Sequence, residues 1–457
     1  MTSRWVQQCV CVVTSSLSRQ TPKKKSEFNR SCMRFAAGMP PYILGLDVGT
    51  TSIKAVLLES ESRSVAASQS LPTASDVADS NGIKAKEQDT GRILETLNQC
   101  VGLLPADKLQ HVCSIGVSGQ MHGVLFWNAE SDCDWSRGNF SQLITWQDGR
   151  CSNSFLSSLP KPDSHLAVAT GFGCATIFWY MKQRPEFLKN FTVAGTIQDY
   201  VVSKLCGLDR CLMTPQNAAS WGFYNTSSKQ WNLDILNGVG FPLHLLPQCV
   251  PSGELAGHTR SGWHGIPVGT PVGAALGDFQ CAVYSCLSAQ TDAVAAALNG
   301  GNVLATFVDM LTGWMKELGV ELNEQSLYEK MISCALNQES SDLAVHPTVL
   351  GERHAPFTLG QVTNISTSNL SLGHVTRALC RGILENLASM MTPERLQQAG
   401  VNRIVGSGSA LARNQVLRQE VEKVFAQPVI YGRDADSAVG VALVLCDRLR
   451  STNAAWH

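Results

Sequence analysis

What this chain lacks narrows the field first. Across its 457 residues no uncharged apolar run approaches the ~20 that a helix needs to cross a bilayer. No charge sign dominates: the formal net charge is −1, and the body of the chain has no long Lys/Arg cluster, so the electrostatic footprint of a nucleic-acid binder is missing. Paired C-x2-C motifs are absent too. The 16 cysteines are scattered singly, and the nearest body pairs, Cys206/Cys211 and Cys281/Cys286, suit neither a zinc knuckle nor a redox motif. They read as reduced, mostly buried small hydrophobes of a reducing compartment. The phosphate loop G-x-x-x-x-G-K-[ST] does not occur. Gly406-Ser-Gly-Ser-Ala410 lacks the third glycine of a dinucleotide fingerprint, and Gly116-Val-Ser-Gly-Gln120 lacks the last glycine of a nucleophile elbow, which makes Ser118 a poor hydrolase nucleophile.

What is present points to an α/β protein of two or three domains. Residues 1–41 are a basic, Ser/Thr-rich extension with Lys23-Lys24-Lys25 and a single acid, Glu27. That composition fits a mitochondrial presequence or a disordered leader ahead of a working start at Met33 or Met39. From Tyr42 strand-like runs alternate with amphipathic helices. Tyr42–Asp47 and Ser52–Leu58 read as strands around a tight turn, Val112–Val117 as a strand running into a Gly-rich loop, and Pro271–Leu276 as a short strand ending in Gly277-Asp278. Ser326–Leu336, His374–Met390 and Asp436–Leu449 read as helices, and Arg403–Val405 as a strand. The expected break between two lobes lies at 287–292, which gives lobes of 42–289 and 290–450.

Four constellations carry chemistry. In the first, Asp47 closes a buried strand, and Gly49, Thr50, Thr51 and Ser52 form a turn whose N–H and hydroxyl groups suit an anion such as phosphate. Asp47 stands where a carboxylate can hold Mg²⁺ through its waters; the alternative is an ordinary hairpin whose glycine only permits the turn. In the second, Gln120-Met121-His122-Gly123 offers directional hydrogen bonds to a polyhydroxylated ligand, and Trp146-Gln-Asp148-Gly-Arg150 adds an aromatic face and a charged pair. His122 bonded to a neighbouring carbonyl, and a salt bridge beside a core Trp, are the plainer readings. In the third, Asp278 follows a glycine at a strand end, where a carboxylate can take a proton from an attacking hydroxyl, or simply cap a helix. The fourth is the Gly406–Asn414 strand-to-helix junction, open to a nucleotide diphosphate or merely a capped turn.

The order of these motifs resembles the FGGY carbohydrate kinases. Leu46-Asp-Val-Gly-Thr-Thr-Ser52, Gln120-Met-His-Gly123, Thr145-Trp-Gln-Asp-Gly-Arg150, Gly277-Asp278, Gly406-Ser-Gly-Ser-Ala410 and Asp436-Ser-Ala-Val-Gly440 carry the resemblance, which covers nearly everything after residue 41. It implies two actin-like, ribonuclease-H-like lobes around a central cleft. The stretches 297–307, 347–354 and 371–381 resemble the family members that act on the seven-carbon ketose sedoheptulose more than those that act on xylulose. The implied reaction moves the ATP γ-phosphate to a primary hydroxyl, giving sedoheptulose 7-phosphate for the pentose phosphate pathway in the cytoplasm. ATP and Mg²⁺ are the implied cofactors, the sugar is the implied partner, and assembly as a homodimer is left open. On the matching positions Asp278 is the base and Asp47 the metal-side carboxylate. Gln120, Met121, His122, Trp146, Asp148 and Arg150 serve the sugar. Gly49, Thr50, Thr51, Ser52, Gly300, Gly301, Gly406, Ser407, Gly408, Ser409, Ala410 and Asn414 serve ATP. An actin- or chaperone-like ATPase shares the Asp47 hairpin but has no use for the sugar-side motifs.

One departure from the family stands out. The second lobe of these kinases opens with its own strand–loop–strand that grips the ATP phosphates. Here Thr291-Asp-Ala-Val-Ala-Ala-Ala-Leu298 runs straight into Asn299-Gly-Gly301, as if an internal block were lost. The expectation is a weakly active or inactive kinase, or a protein that binds sugar without transferring phosphate.

Overall fold

A strand's period of two sorts the first layer. In β1 (Tyr42–Val48) one face carries Tyr42, Leu44, Leu46 and Val48, and the other carries Ile43, Gly45 and Asp47. The computed structural model describes residues 41–78, 84–129, 139–286, 292–295, 300–321, 323–349, 358–406, 411, 413–425, 427–431 and 435–454. The basic extension, apart from Pro41, and the expected break at 287–292, apart from Asp292, thus lie outside the described residues. β1 pairs antiparallel with β2 (Ser52–Glu59), and β2 with β3 (Val65–Pro72). On its other side β1 runs parallel to β4 (Val112–Gly119). β5 (Leu255–His258) and β6 (Pro271–Gly273) complete the order β5-β6-β4-β1-β2-β3, and β7 (Leu276–Gly277) pairs with the end of β4. The strand expected over Pro271–Leu276 is therefore two short ones, divided where the chain steps from Ile115 to Ser118 of β4.

One face of this sheet buries Leu44, Leu46, Val117 and Val272 against Ile93, Leu94 and Leu97 of α1 (Thr90–Gly102) and Ile197 and Val201 of α2 (Ile197–Cys206). α1 starts where Asp89 accepts a bond from the Arg92 N–H, and α2 starts at a capping box between Thr196 and Asp199. A second aromatic-rich cluster holds α3 (Pro215–Trp221) through Trp221 and Ala218. After β7 comes α4 (Asp278–Cys286), which begins at the expected catalytic aspartate.

Contacts divide the chain after Ser285. One unit ends there and resumes at Asp436; the other spans Cys286–Ala435. In the second unit β8 (Asp292–Ala295), β9 (Arg403–Gly406) and β10 (Val429–Tyr431) form an all-parallel sheet in the order β8-β9-β10. Its helices include α5 (Gly300–Glu317), α6 (Glu324–Leu336), α7 (Leu372–Met390) and α8 (Gln415–Val424). Leu304, Ile332, Ile383, Ile404 and Val421 share their core. Buried Arg377 is paired with buried Glu420 at 2.6 Å, fastening α7 to α8. Among the described residues this sheet has only a parallel half, whereas the first sheet also has the antiparallel β1-β2-β3 meander.

The last helix, α9 (Ser437–Ala454), departs from the expected domain limits. Residues from Asp436 onward, expected in the second lobe to 450, pack on the first sheet. Amphipathic periodicity announces a helix but not which sheet receives it. The receiving face is lined with glycine. A Cβ on Gly45 would run into the Ala438 carbonyl oxygen, one on Gly116 would stand 2.9 Å from Val441 Cγ2, and one on Gly273 2.9 Å from Leu445 Cδ2. Gly440 repays the contact, since a Cβ there would strike the Cys281 carbonyl in α4. At Gly45 the helix backbone lies directly on the strand, at Gly116 and Gly273 the side chains of Val441 and Leu445 fill the space the glycines leave, and Ile43, Leu58, Leu445 and Leu449 pack beside them. Overpacking a filled interior costs about 1–3 kcal/mol, more when backbone must shift. Gly45→Val is therefore expected to lower the thermal unfolding midpoint by several degrees. Gly313→Ala, at a helical glycine with nothing within 4 Å, should leave it unchanged or raise it slightly. Parallel melting curves of the two variants check this.

Candidate active site

The site is assembled where β1, β4 and β7 end. Gly49 N–H closes the hairpin turn on the Ser52 carbonyl at 3.1 Å, with Thr51 exposed and Thr50 and Ser52 half-buried. The register pairs Asp47 with Ser118 of β4, and the Ser118 hydroxyl donates to Asp47 Oδ1 at 3.3 Å and to the Leu46 carbonyl at 3.0 Å. The same hydroxyl lies 3.3 Å from the Ser437 carbonyl, which ties the start of α9 to this corner. Asp436, just ahead of α9, forms an ion pair with Lys54 of β2. Burial, then the carboxylates of Asp278 and Asp436, push the Asp47 carboxyl up to about 7, against the opposing pull of Ser118 and Lys54. Burial pushes Asp278 up to about 6, while its Oδ1 accepts the Phe279 N–H at 2.7 Å.

Three acids thus crowd one corner, with Lys54 as the cation named beside them. Among the described residues no three His, Cys, Asp or Glu side chains are close enough to hold a metal directly. Carboxylates that raise one another's pKa but do not form a cage fit Mg²⁺, which keeps several waters and takes one or two carboxylates.

The expected sugar-side residues are brought to the same end of the sheet. The Trp146 indole N–H donates to Thr50 Oγ1 at 3.1 Å, and Thr50 Oγ1 stands 3.4 Å from Gln120 Oε1. Gln120 Nε2 donates to Gln88 Oε1, and Gln88 Nε2 in turn bonds the Thr50 carbonyl at 2.8 Å. The hydroxyl of Thr50, expected on the phosphates, is therefore joined to the sugar side. His122 holds φ at +72°, a costly region for a non-glycine residue. It is kept there by a hydrogen bond from Nδ1 to the Ser220 carbonyl at 2.8 Å, which places a proton on Nδ1, and by stacking on Phe172 with ring centroids 4.7 Å apart. Gly171, at φ +76°, lets the chain before Phe172 lie against the Trp146 carbonyl, where a Cβ would collide. Met121 packs at Gly277, with its Sδ 2.6 Å from the point a Cβ there would occupy.

Asp148 and Arg150 act differently from Trp146. The Arg150 side chain is 1% exposed and that of Asp148 0%. They bond each other at 2.7 Å, and Arg150 also reaches Glu87 at 2.6 Å and the Tyr180 hydroxyl at 2.9 Å. Asp148 Oδ2 further accepts the Lys86 N–H. Four of the five guanidinium N–H groups are bonded within the protein, so the pair braces the loop that carries Trp146. Removing one partner of such a pair costs about 3–5 kcal/mol because the other charge stays buried.

Beyond the Gly49–Ser52 turn, the residues expected to meet nucleotide lie in the second unit. Gly300 and Gly301 open α5, and Gly406 ends β9; Ser407, Gly408, Ser409 and Ala410 lie outside the described residues. Asn414 is fully buried and caps α8, its Oδ1 accepting the Leu417 N–H at 2.9 Å. Close to Asn414, an open pocket of about 1120 Å³ lies between α5 and α6, lined by Leu304, Val308, Tyr328, Ile332 and Arg413. Motif reading passed over Lys54, Gln88 and Asn217. Each is a lone polar residue in an ordinary strand or helix pattern, and only the folded register places it at the site. Asp436 was quoted in a motif but given no role.

Together the fold and site define a sugar kinase, and the chain belongs to the FGGY family of carbohydrate kinases: the N-terminal domain of that family matches residues 42–285. Among similar proteins are sedoheptulokinases. The one from Mus musculus is 51% identical over 468 aligned positions, covering 89% of this chain and 98% of the relative. The one from Homo sapiens is 49% identical over 467, with the same coverage. Because 89% of 457 residues is about 407, about 60 of the 468 aligned positions have no counterpart in this chain. The fold is that of the xylulose kinase from Rhodospirillum rubrum, with a TM-score of 0.69 at 19% identity, covering 88% of this chain and 89% of that one.

A carboxylate whose folded pKa is raised above its unfolded value of ~3.9 costs stability once it ionises. For Asp278 the cost is absent below pH ~4, where both states are protonated, and is complete above about pH 6. Asp278→Asn is expected to melt higher than the parent chain at pH 7.5, with the gap closing at pH 4. Thermal denaturation across that range checks it.

Proposed function

We propose that this chain is a sedoheptulokinase-type ketose kinase, transferring the γ-phosphate of ATP to the primary hydroxyl of sedoheptulose. The observation that carries the reading is the 51% identity that extends over 98% of a relative named for that activity. The geometry supplies the parts phosphoryl transfer requires, which are positioning and charge rather than covalent help. Gln120, Met121, His122 and Trp146 hold the sugar, with Asp148 and Arg150 acting through the loop they brace. Asp278 receives the proton of the primary hydroxyl as its oxygen bonds the γ-phosphorus and the bond to the ADP oxygen breaks. Gly49, Thr51 and Ser52 offer donors to phosphate, and Asp47 orients the waters of Mg²⁺, whose charge offsets that of the phosphates when it is bound. The pocket beside α5 and α6 takes the base of ATP, with Gly300, Gly301 and Gly406 toward the phosphates and Asn414 fixing the start of α8. The product enters pentose phosphate metabolism. The described cysteines form no disulfides, and the cytosol is the compartment we propose.

A second reading qualifies the rate. The second sheet lacks an antiparallel hairpin among the described residues, and about 60 positions of the mouse relative have no counterpart here. We place that loss at the second phosphate-gripping hairpin. Removing one fixed donor costs a transition state ~3 kcal/mol, so transfer is slow while sugar binding persists.

Single-turnover assays with ATP, Mg²⁺ and a ketose panel test both readings. The expected order is sedoheptulose over xylulose, at rates at least a hundredfold below ordinary kinase turnover. A rate of 1–100 s⁻¹ would refute the impairment, and failure to bind any ketose would refute the kinase reading. Whatever its size, kcat/KM should rise with pH through about 6 as Asp278 ionises in the free protein, and Asp278→Asn should remove turnover while sparing ATP binding.

A further inference from the structure

Near Asp278 one buried carboxamide and the oxygen of a second, half-buried one have no partner. Asn217 is 0% exposed, and neither its Oδ1 nor its Nδ2 has a hydrogen-bond partner; Gln280 Oε1 is likewise buried and unpartnered. A buried polar group left unsatisfied costs ~1–3 kcal/mol, so such atoms are rare unless something arrives to bond them.

Their placement says what arrives. Asn217 lies on α3 between two anchors. The Thr214 hydroxyl donates to the Ala275 carbonyl at 2.8 Å, just before β7 and Asp278, and the Trp221 indole N–H donates to the Gly123 carbonyl at 3.0 Å. Position 217 is three residues after the first anchor and four before the second, hence on the same helix face. Ser220, on the next turn, holds His122. Asn217 therefore faces the junction of the Gln120–Gly123 loop with the Ala275–Asp278 strand end. Gln280 reaches that junction from the other side. Its Oε1 occupies the space a Cβ on Gly277 would fill, and Met121 Sδ shares that space.

We infer that Asn217 and Gln280 read the hydroxyls of the bound polyol, with Met121 as the pliable cover that yields to it. The inference rests on the sugar-kinase reading of the site and adds two specificity-determining residues to it. Together the two groups present two acceptors and an NH₂ donor. A hydroxyl both donates and accepts, so a chain of adjacent hydroxyls satisfies this set, whereas an apolar ligand leaves it unsatisfied. Met121, 9% exposed and unbranched, suits the cover because a thioether side chain changes rotamer at little cost. With the sugar absent the carboxamides stay unpaired, and the protein gives up stability for recognition.

The test compares the full chain with Asn217→Leu, close in volume but apolar, and Gln280→Met. Thermal midpoints are measured without ligand, and sedoheptulose and ADP binding by calorimetry. Both variants are expected to melt at or above the parent temperature, to bind ADP unchanged, and to bind sedoheptulose tenfold or more weakly. Sedoheptulose affinity within twofold of the parent overturns the inference. So does a midpoint several degrees lower in Asn217→Leu, the mark of a carboxamide already satisfied by buried water. If the parent chain itself binds no ketose, the kinase reading fails and this inference with it; if the parent binds and the variants match it, only this inference fails.

Discussion

Everything at the active corner depends on how closely the last helix lies on the first sheet. A helix packed through ordinary side chains is held off a sheet by the width of those side chains. Gly45, Gly116 and Gly273 remove those side chains, and the backbone at Ala438 rests on β1 itself. That approach carries Asp436 to Lys54 and sets the Ser437 carbonyl against Ser118, whose hydroxyl also serves Asp47. A residue 389 positions downstream thereby influences the acid that closes the first strand. Burial and the Asp278 carboxylate raise the Asp47 pKa most, and Asp436, brought close by this packing, adds to them.

The same economy appears on the proposed sugar side, where few residues are assigned to the ligand and many hold them. His122 is kept in a strained backbone conformation by a carbonyl from α3 and by the ring of Phe172, which caps the start of the helix Gly173–Gln183. Trp146 is aimed by a charged pair that never sees solvent. Glu87 and Gln88, adjacent in sequence, divide the work: one neutralises Arg150, and the other links Gln120 to the hairpin. A substitution at any of these supports would reach the substrate indirectly.

How much of this was legible in the sequence depends on the kind of signal. The Asp47 hairpin was, since a carboxylate, a glycine and three hydroxyls between alternating apolar runs have few other uses. The helices α6 and α7 were, through their periodicity. The allegiance of α9 was not, because the glycines that receive it are spread over three strands and each looks like an ordinary strand glycine. Asp148 and Arg150 were recognised as a pair, but their spacing is silent on whether the pair faces water. Asn217 carries no sequence signal at all; its meaning comes from the lack of a partner, which is a property of the folded neighbourhood.

The Asp436 N–H donates to Ser285 Oγ at 3.0 Å, so the chain leaves the first unit and returns to it at one point. The 150 residues between them, Cys286–Ala435, form a detour closed at its base. Such a detour can be lengthened, shortened or exchanged while the strands, helix and carboxylates around the sugar keep their covalent order and their mutual contacts. Loss of part of the detour leaves that order intact, and the same closed base marks where a foreign domain could be grafted into the chain.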